Sequence, residues 1–339
     1  MGRVVAEGSS EKPRYLSYPL GNYITDVPGE CTCGQQGAID SAIGGGNLSA
    51  FQALGNEIAD FGCNQTSRFQ HTTYFKHRGG DDPPAIAWRQ AYQYLHGNKA
   101  RSALHTFHQQ SNGGGRDFTG TLELHDNVIV DQRGAGISFA SGGNGLCYTG
   151  DLKIFNNVMI NVGLGPPGEN GFAEAQVYTF NDSFNTTTVE AYNNLVFGWG
   201  DDTAGDLDQA VRIDGSMDSM TYIFRNNIFV ATRPDVVSYS GPETTMISGS
   251  NNFWYYTGAE ATTLVPPDWD TLPFTDDPAL IMDGLIFSLS ADSPARNSAV
   301  DLPEPILRDV YGRLRDCNAV GPVQFEEACA GAIDSLSGQ

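Results

Sequence analysis

Apolar residues in this chain fall in short runs, and the same polar interruption keeps returning between them. AYNNLVFGWG (191–200), IFNNVMI (154–160), FRNNIFV (224–230) and GSNNFWY (249–255) each place an Asn pair between two apolar stretches. LHDNVIV (124–130), LHGNKAR (95–101) and ALGNEIA (53–59) carry a looser form, with Asp or Gly before the Asn. Asn is a poor strand former, but it tolerates the left-handed backbone conformation and hydrogen-bonds its own main chain, so each interruption reads as a tight turn between two strands. The column so defined is Asn56, Asn98, Asn127, Asn157, Asn194, Asn227 and Asn252, at separations of 25 to 42 residues.

Between successive Asn turns lies one further apolar stretch: TTYF (72–75), ALHTF (103–107), GISF (136–139), AQVYTF (175–180), AVRID (210–214) and VVSY (236–239). Each unit thus predicts strand, Asn turn, strand, loop, strand, loop. One turn is constant in type while the loops vary in length, which fits a chain winding repeatedly so that strands stack in parallel on their copies in neighbouring coils. Coils stacked ~4.8 Å apart let an Asn hydrogen-bond to the Asn above and below, as in cross-β ladders. Asn127, Asn157, Asn194 and Asn227 are expected in one interior column.

This pattern resembles the right-handed parallel β-helix proteins of the pectate-lyase-like superfamily, with their internal asparagine ladder. The resemblance covers roughly residues 50–256, and a second part of it lies in DPALIMDGLIFSLSADSPARNSAV (277–300) followed by DVYGRLRDCNAVGPVQFE (309–326). It implies an all-β solenoid: an N-terminal extension or cap at 1–49, coils at 50–256, and an irregular C-terminal capping segment at 257–339 that packs on the last coils and covers their open end.

Composition agrees with many turns around a continuous core: 339 residues, 40 of them Gly, with 17% charged. A formal charge of −21 argues against nucleic acid, which needs a basic footprint. No apolar stretch reaches 18 residues, so no membrane insertion is expected, and the opening MGRVVAEGSSEKPRYL lacks the apolar core of a signal peptide. Six cysteines at 31, 33, 63, 147, 317 and 329 show no C-x-x-C pairing. Disulfides are the expectation, Cys317 with Cys329 and Cys63 with Cys31 or Cys33, and with them an extracellular, cell-surface or periplasmic address. No cofactor is clearly implied; Asp81–Asp82 and the carboxylates of 201–208 leave room for calcium, and the ligand set of any metal is unknown.

In the resembled family, the outer face of the sheet that follows the variable loop forms the substrate cleft. With Phe75, Leu104, Ile137, Val177, Val211 and Val237 facing the core, strand alternation sends Tyr74, Lys76, His105, Phe107, Ser138, Tyr178, Phe180, Arg212 and Asp214 outward. Aromatic platforms interleaved with ionisable groups suit an extended glycan. HTTYFKHRGG (71–80) and LHTFHQQ (104–110) concentrate His71, Tyr74, Lys76, His77, Arg78, His105 and His108 on adjacent coils. Cleavage of a uronic-acid polymer by β-elimination needs a base, a cation for the carboxylate and an acid for the leaving oxygen. Lys76, His77 and His105 are the candidate catalytic group; Tyr74, Tyr178, Arg212 and Asp214 are the candidate glycan contacts. His96 and His125, each before an Asn turn, are read as one surface column with Phe155, Tyr192 and Arg225. The motifs of the related hydrolases are incomplete, since Asp201–Asp202 occurs without Gly-His-Gly, and FKHRGG echoes the lyases of this fold. Two function classes follow: a secreted protein that binds and cleaves an acidic polysaccharide, a lyase before a glycoside hydrolase, and a non-catalytic surface, adhesive or filament-forming rod that self-associates through its faces or ends.

Overall fold

A computed structural model describes residues 4–7, 16–17, 19–26, 40–48, 50–62, 70–77, 88–109, 120–142, 151–165, 176–181, 188–200, 208–214, 220–242, 246–258, 264–302, 308–313, 315 and 319–322. All six cysteines, Asp81–Asp82 and the carboxylates of 201–207 lie outside that set, as do the expectations placed on them.

The architecture is a parallel β-solenoid. Three eight-stranded sheets run along it, and each coil gives one strand to each. A representative coil passes from Ser102–Gln109 in the first sheet to Thr121–His125 in the second and Val128–Gln132 in the third, then climbs to Ala135–Gly142 in the first. Every pairing within these sheets is parallel. Coils begin upstream of residue 50: Tyr23–Thr25 already pairs with Glu57–Ala59, and Asp40–Leu48 with Gln70–His77. Inward side chains form one continuous core in which like residues stack between coils, as Phe51 does on Phe75 at 3.8 Å and Phe229 on Trp254 at 4.2 Å.

The asparagine ladder occupies the corner between the second and third sheets. Asn157 Nδ2 donates to Asn194 Oδ1 at 2.9 Å and to the Leu124 carbonyl, while Asn194 Oδ1 also accepts from the Asn157 backbone N–H at 3.0 Å. Both amide protons and both carbonyl lone pairs are therefore used inside the core, which is what makes a fully buried Asn tolerable. The same set repeats from Asn127 through Asn157, Asn194 and Asn227 to Asn252. The ladder ends on Asp270, whose Oδ2 accepts from Asn252 Nδ2 at 2.9 Å and Trp254 Nε1 at 2.8 Å. A carboxylate suits that place because it accepts without needing to donate.

One member of the predicted column is corrected. Asn98 sits a corner further on, past the third-sheet strand Tyr94–His96, taking the Phe61 N–H and donating to the Ile58 carbonyl. Gln93 holds the ladder level of that coil, its N–H donating to Asn127 Oδ1 at 3.1 Å. His96 accordingly leaves the His125 column: it belongs to the third sheet, stacked on Tyr94 at 4.3 Å with Nε2 3.1 Å from Glu57 Oε1. Phe155, Tyr192 and Arg225 do share the His125 column, and Ala91 fills the place assigned to His96. A Gly-Asn pair occurs at two different corners, and only the full coil length tells them apart.

The other residue of each pair has a separate task. Asp126, Asn156, Asn193, Asn226 and Asn251 all adopt positive φ, between 50° and 57°. Three of these Asn side chains grip the C-terminal segment. Asn226 exchanges two hydrogen bonds with Val300 at 2.9 Å, Asn251 donates to the Ser298 carbonyl at 2.6 Å, and Asn156 donates to the Arg308 carbonyl at 2.7 Å while accepting from Arg315 at 3.0 Å. Phe287, Leu289, Ala295, Ala319 and Val320 then pack on Val158, Leu195, Ile228 and Phe253, the outward residues of the third sheet. The segment therefore seals a side of the solenoid. The end itself is continued by residues 264–274, which bridge at Gly249–Asp270 and Phe253–Phe274.

Candidate functional site

The outer face of the first sheet is defined by its register. Gly44, Tyr74, His105, Ser138, Thr179, Arg212 and Ser240 align in one outward column, and the backbone register two residues on aligns positions 76, 107, 140, 181 and 214, where Asp214 is partly exposed. Tyr74, His105, Arg212 and Asp214 thus lie where alternation predicted. Lys76 and His77 end the strand Gln70–His77, and their side chains lie outside the described set.

Tyr178 is a correction, and Phe180 with it. Tyr178 pairs with Ile137 and Val211, is wholly buried and belongs to the core. These strands have two consecutive buried residues near their start, Ala103–Leu104, Val177–Tyr178 and Ala210–Val211, and Val177 lies in a bend just before its strand starts. Counting outward positions from Val177 therefore starts one residue early. Thr179 takes the outward place, and burial pushes the Tyr178 phenol pKa far up. Val237, expected inside, is 39% exposed.

Two different environments share this face. At the Tyr74 end the rings close on one another: His71 stacks on His105 at 3.8 Å and Tyr74 lies 5.1 Å from His105, with exposures of only 3%, 6% and 7% in the order His71, His105, Tyr74. His71 Nδ1 is 2.7 Å from Ser102 Oγ and His105 Nδ1 is 3.0 Å from Ser138 Oγ, each serine one coil further on. Burial, reinforced by the Arg101 charge, drives the His105 pKa down to about 3, and burial raises that of Tyr74. His105 is a neutral hydrogen-bonding group at ordinary pH. At the other end Arg212 Nε donates to Asp214 Oδ1 at 2.9 Å, both partly exposed, beside the outward hydroxyls of Thr179 and Ser240.

Searches with protein-family models and against curated proteins return no match for this chain.

The remaining faces are differently occupied. The third is covered by the C-terminal segment over the strands from Val128–Gln132 to Phe253–Tyr256. The second carries a row of alternating charge, Arg89, Glu123, Lys153 and Glu190 on consecutive coils, with Arg89 bonded to Glu123 at 2.5 and 2.8 Å. At the corner leading into the first sheet, an open cleft of about 270 Å³ lies between Asn161, Leu164, Thr232 and Arg233, in the coils that carry Thr179 and Arg212. Among the described residues no three His, Cys, Asp or Glu side chains are grouped to hold a metal ion, and no helix is long and apolar enough to cross a membrane. Ser138 was placed outward by alternation, while Thr179 and Ser240 were not singled out from the sequence; placing Tyr178 level with Ile137 would have revealed all three as one outward hydroxyl row.

Proposed function

We propose that the protein is a secreted carbohydrate-binding β-solenoid that lays an acidic polysaccharide across its coils, along the outer face of the first sheet. The observation that carries this reading is the partly exposed Arg212–Asp214 pair, with Arg212 in the same column as the hydroxyls of Ser138, Thr179 and Ser240. A guanidinium matches a uronate carboxylate, and hydroxyls and a carboxylate match sugar hydroxyls. The rise of ~4.8 Å per coil is close to the length of one sugar unit, so successive coils can meet successive sugars. The resemblance to pectate-lyase-like β-helix proteins supports the same face, and the even cysteine count supports secretion.

Cleavage by β-elimination is the finer form of this reading. His105 is poorly matched to it as base: with a pKa near 3 it is far weaker than a general base working at neutral pH requires. In this reading Tyr74, His71 and His105 form a rigid floor, and the contacts that discriminate acidic glycans come from Arg212 and Asp214. The test is binding of polygalacturonate, alginate and chondroitin fragments by calorimetry, with ultraviolet detection of unsaturated products. Arg212→Ala should weaken binding about tenfold, or ~1.4 kcal/mol. No binding of any uronate polymer, or equal binding by Arg212→Ala, overturns the reading; unsaturated products from wild type that vanish in Lys76→Ala would establish the lyase form.

A further inference from the structure

The corner between the second and third sheets requires a left-handed residue in every coil, and most coils supply one suited to it: Gly55, Asp126, Asn156, Asn193, Asn226 and Asn251. The exception is Tyr92, held at φ 56°. For a bulky side chain this conformation is strained, and such strain persists where the surroundings enforce it and frequently where function needs the side chain. The ring does not repay the strain by filling the core, since Tyr92 is 58% exposed.

What surrounds that ring is a set of groups with hydrogen-bonding capacity to spare. His125 meets it edge-on at 5.4 Å with an interplanar angle of 84°. The His125 imidazole is itself buried, stacked flat on Phe155 at 4.6 Å, with Nδ1 tied to Asp126 Oδ2 at 2.6 Å. Its Nε2 has no hydrogen-bond partner among the described residues and lies 3.9 Å from Glu123 Oε2. Glu123 is in turn clamped by Arg89. An exposed aromatic face is thus bordered by a fixed guanidinium and two fixed carboxylates, with a buried, unsatisfied imidazole nitrogen beside them. A buried polar atom left unpaired is costly, and one at the edge of an exposed aromatic ring is explained if a ligand completes it.

We infer that Tyr92 is the stacking platform of a second carbohydrate site, one that takes a neutral pyranose. The flat apolar face of such a sugar covers the ring, and its edge hydroxyls donate to Glu123 and Asp126 and accept from Arg89. Neutrality follows from the charges: around the ring Arg89 and Arg308 are balanced by Glu123 and Asp126, and a chain of net charge −21 disfavours an anion where no net positive charge is left. The site lies on a different corner from the first-sheet face and does not depend on the reading given to that face.

The strain makes the test two-sided. Tyr92→Asn installs the residue type that four other coils use in this conformation. It should raise Tm by a few degrees while weakening neutral-sugar binding about tenfold or more. Tyr92→Phe should keep the affinity within about threefold, because stacking and not the hydroxyl carries it. The probes are tetrasaccharides of β-linked glucose, mannose and xylose, titrated calorimetrically against the whole chain; uronate oligosaccharides, run in parallel, report the first-sheet face separately. The inference is overturned if wild type binds none of the three neutral probes, if Tyr92→Asn binds as wild type does, or if Tyr92→Asn lowers Tm, which would make the ring a structural prop.

Discussion

The two asparagine columns at one corner of the solenoid are adjacent in sequence and opposite in dependence. Each inner Asn finds its side-chain partner in the next copy of itself, at separations such as 30, 37, 33 and 25 residues, and the column satisfies its own hydrogen bonds. Three of the outer Asn residues, Asn156, Asn226 and Asn251, find partners in the C-terminal segment, 74 residues away for Asn226 and 152 for Asn156. A repeat motif can therefore encode two unrelated jobs, and only the inner one is periodic in its partners. The inner column holds coil to coil, the outer one holds the strap to the coils.

Breaking the inner column should have the largest effect. Asn194→Leu strands the Asn157 backbone N–H and side-chain amide on one side and one of the two bonds to Asn227 Oδ1 on the other. At ~1–3 kcal/mol for each buried group left unpaired, the loss should be on the order of 4 kcal/mol, read as a lower denaturation midpoint for the whole solenoid. A loss below 1 kcal/mol would mean the ladder is not under cooperative load.

The buried imidazole at the first sheet is self-contained like the inner ladder, and its signature is a pH dependence. His105 has a folded pKa of about 3 against a usual 6.5, so between those values the unfolded chain takes up the proton and the folded chain does not. The contribution of His105 to stability is complete above pH 6.5 and is lost as pH falls towards 3, by on the order of 3 kcal/mol at pH 4. Denaturation midpoints of wild type and His105→Phe across pH 4 to 8 check this, and the variant should lose most of the slope below pH 6.5.

Breaking the outer column should cost least and act locally. Asn226→Ala removes two hydrogen bonds to Val300, about 1–2 kcal/mol. Hydrogen exchange should accelerate around Val300 while the amide of Asn194 and its coil neighbours stay protected. Uniform acceleration through the coils would show that strap and solenoid unfold as one.

How far the molecule could be read in advance follows from the same distinction. The ladder from Asn127 to Asn252 was legible because it repeats one residue type in one flanking pattern. Gln93 was not, since Gln in YQYL resembles no other copy, while Asn98 resembles them all and sits at another corner. Tyr74, His105, Arg212 and Asp214 were placed on the right face by alternation, and Tyr178 was not, because alternation holds within a pleat and fails across the bend that precedes it. The burial of Tyr74 and His105 was invisible to any pattern: strand parity tells which way a side chain leaves the backbone and nothing of what it meets there.

By itself the amino-acid order determined the winding of this chain, since identical turn residues at coil-length intervals have a low-energy arrangement only when stacked on one another, and their hydrogen bonds close locally between neighbouring coils. Tertiary structure alone decided which face remains available. The strap covers the later coils of the third sheet through contacts up to 159 residues apart, the imidazoles close one end of the first, and Tyr92 is carried outward on a strained backbone. Those outcomes depend on which distant segment arrives beside a given coil, and no periodicity within the chain specifies that.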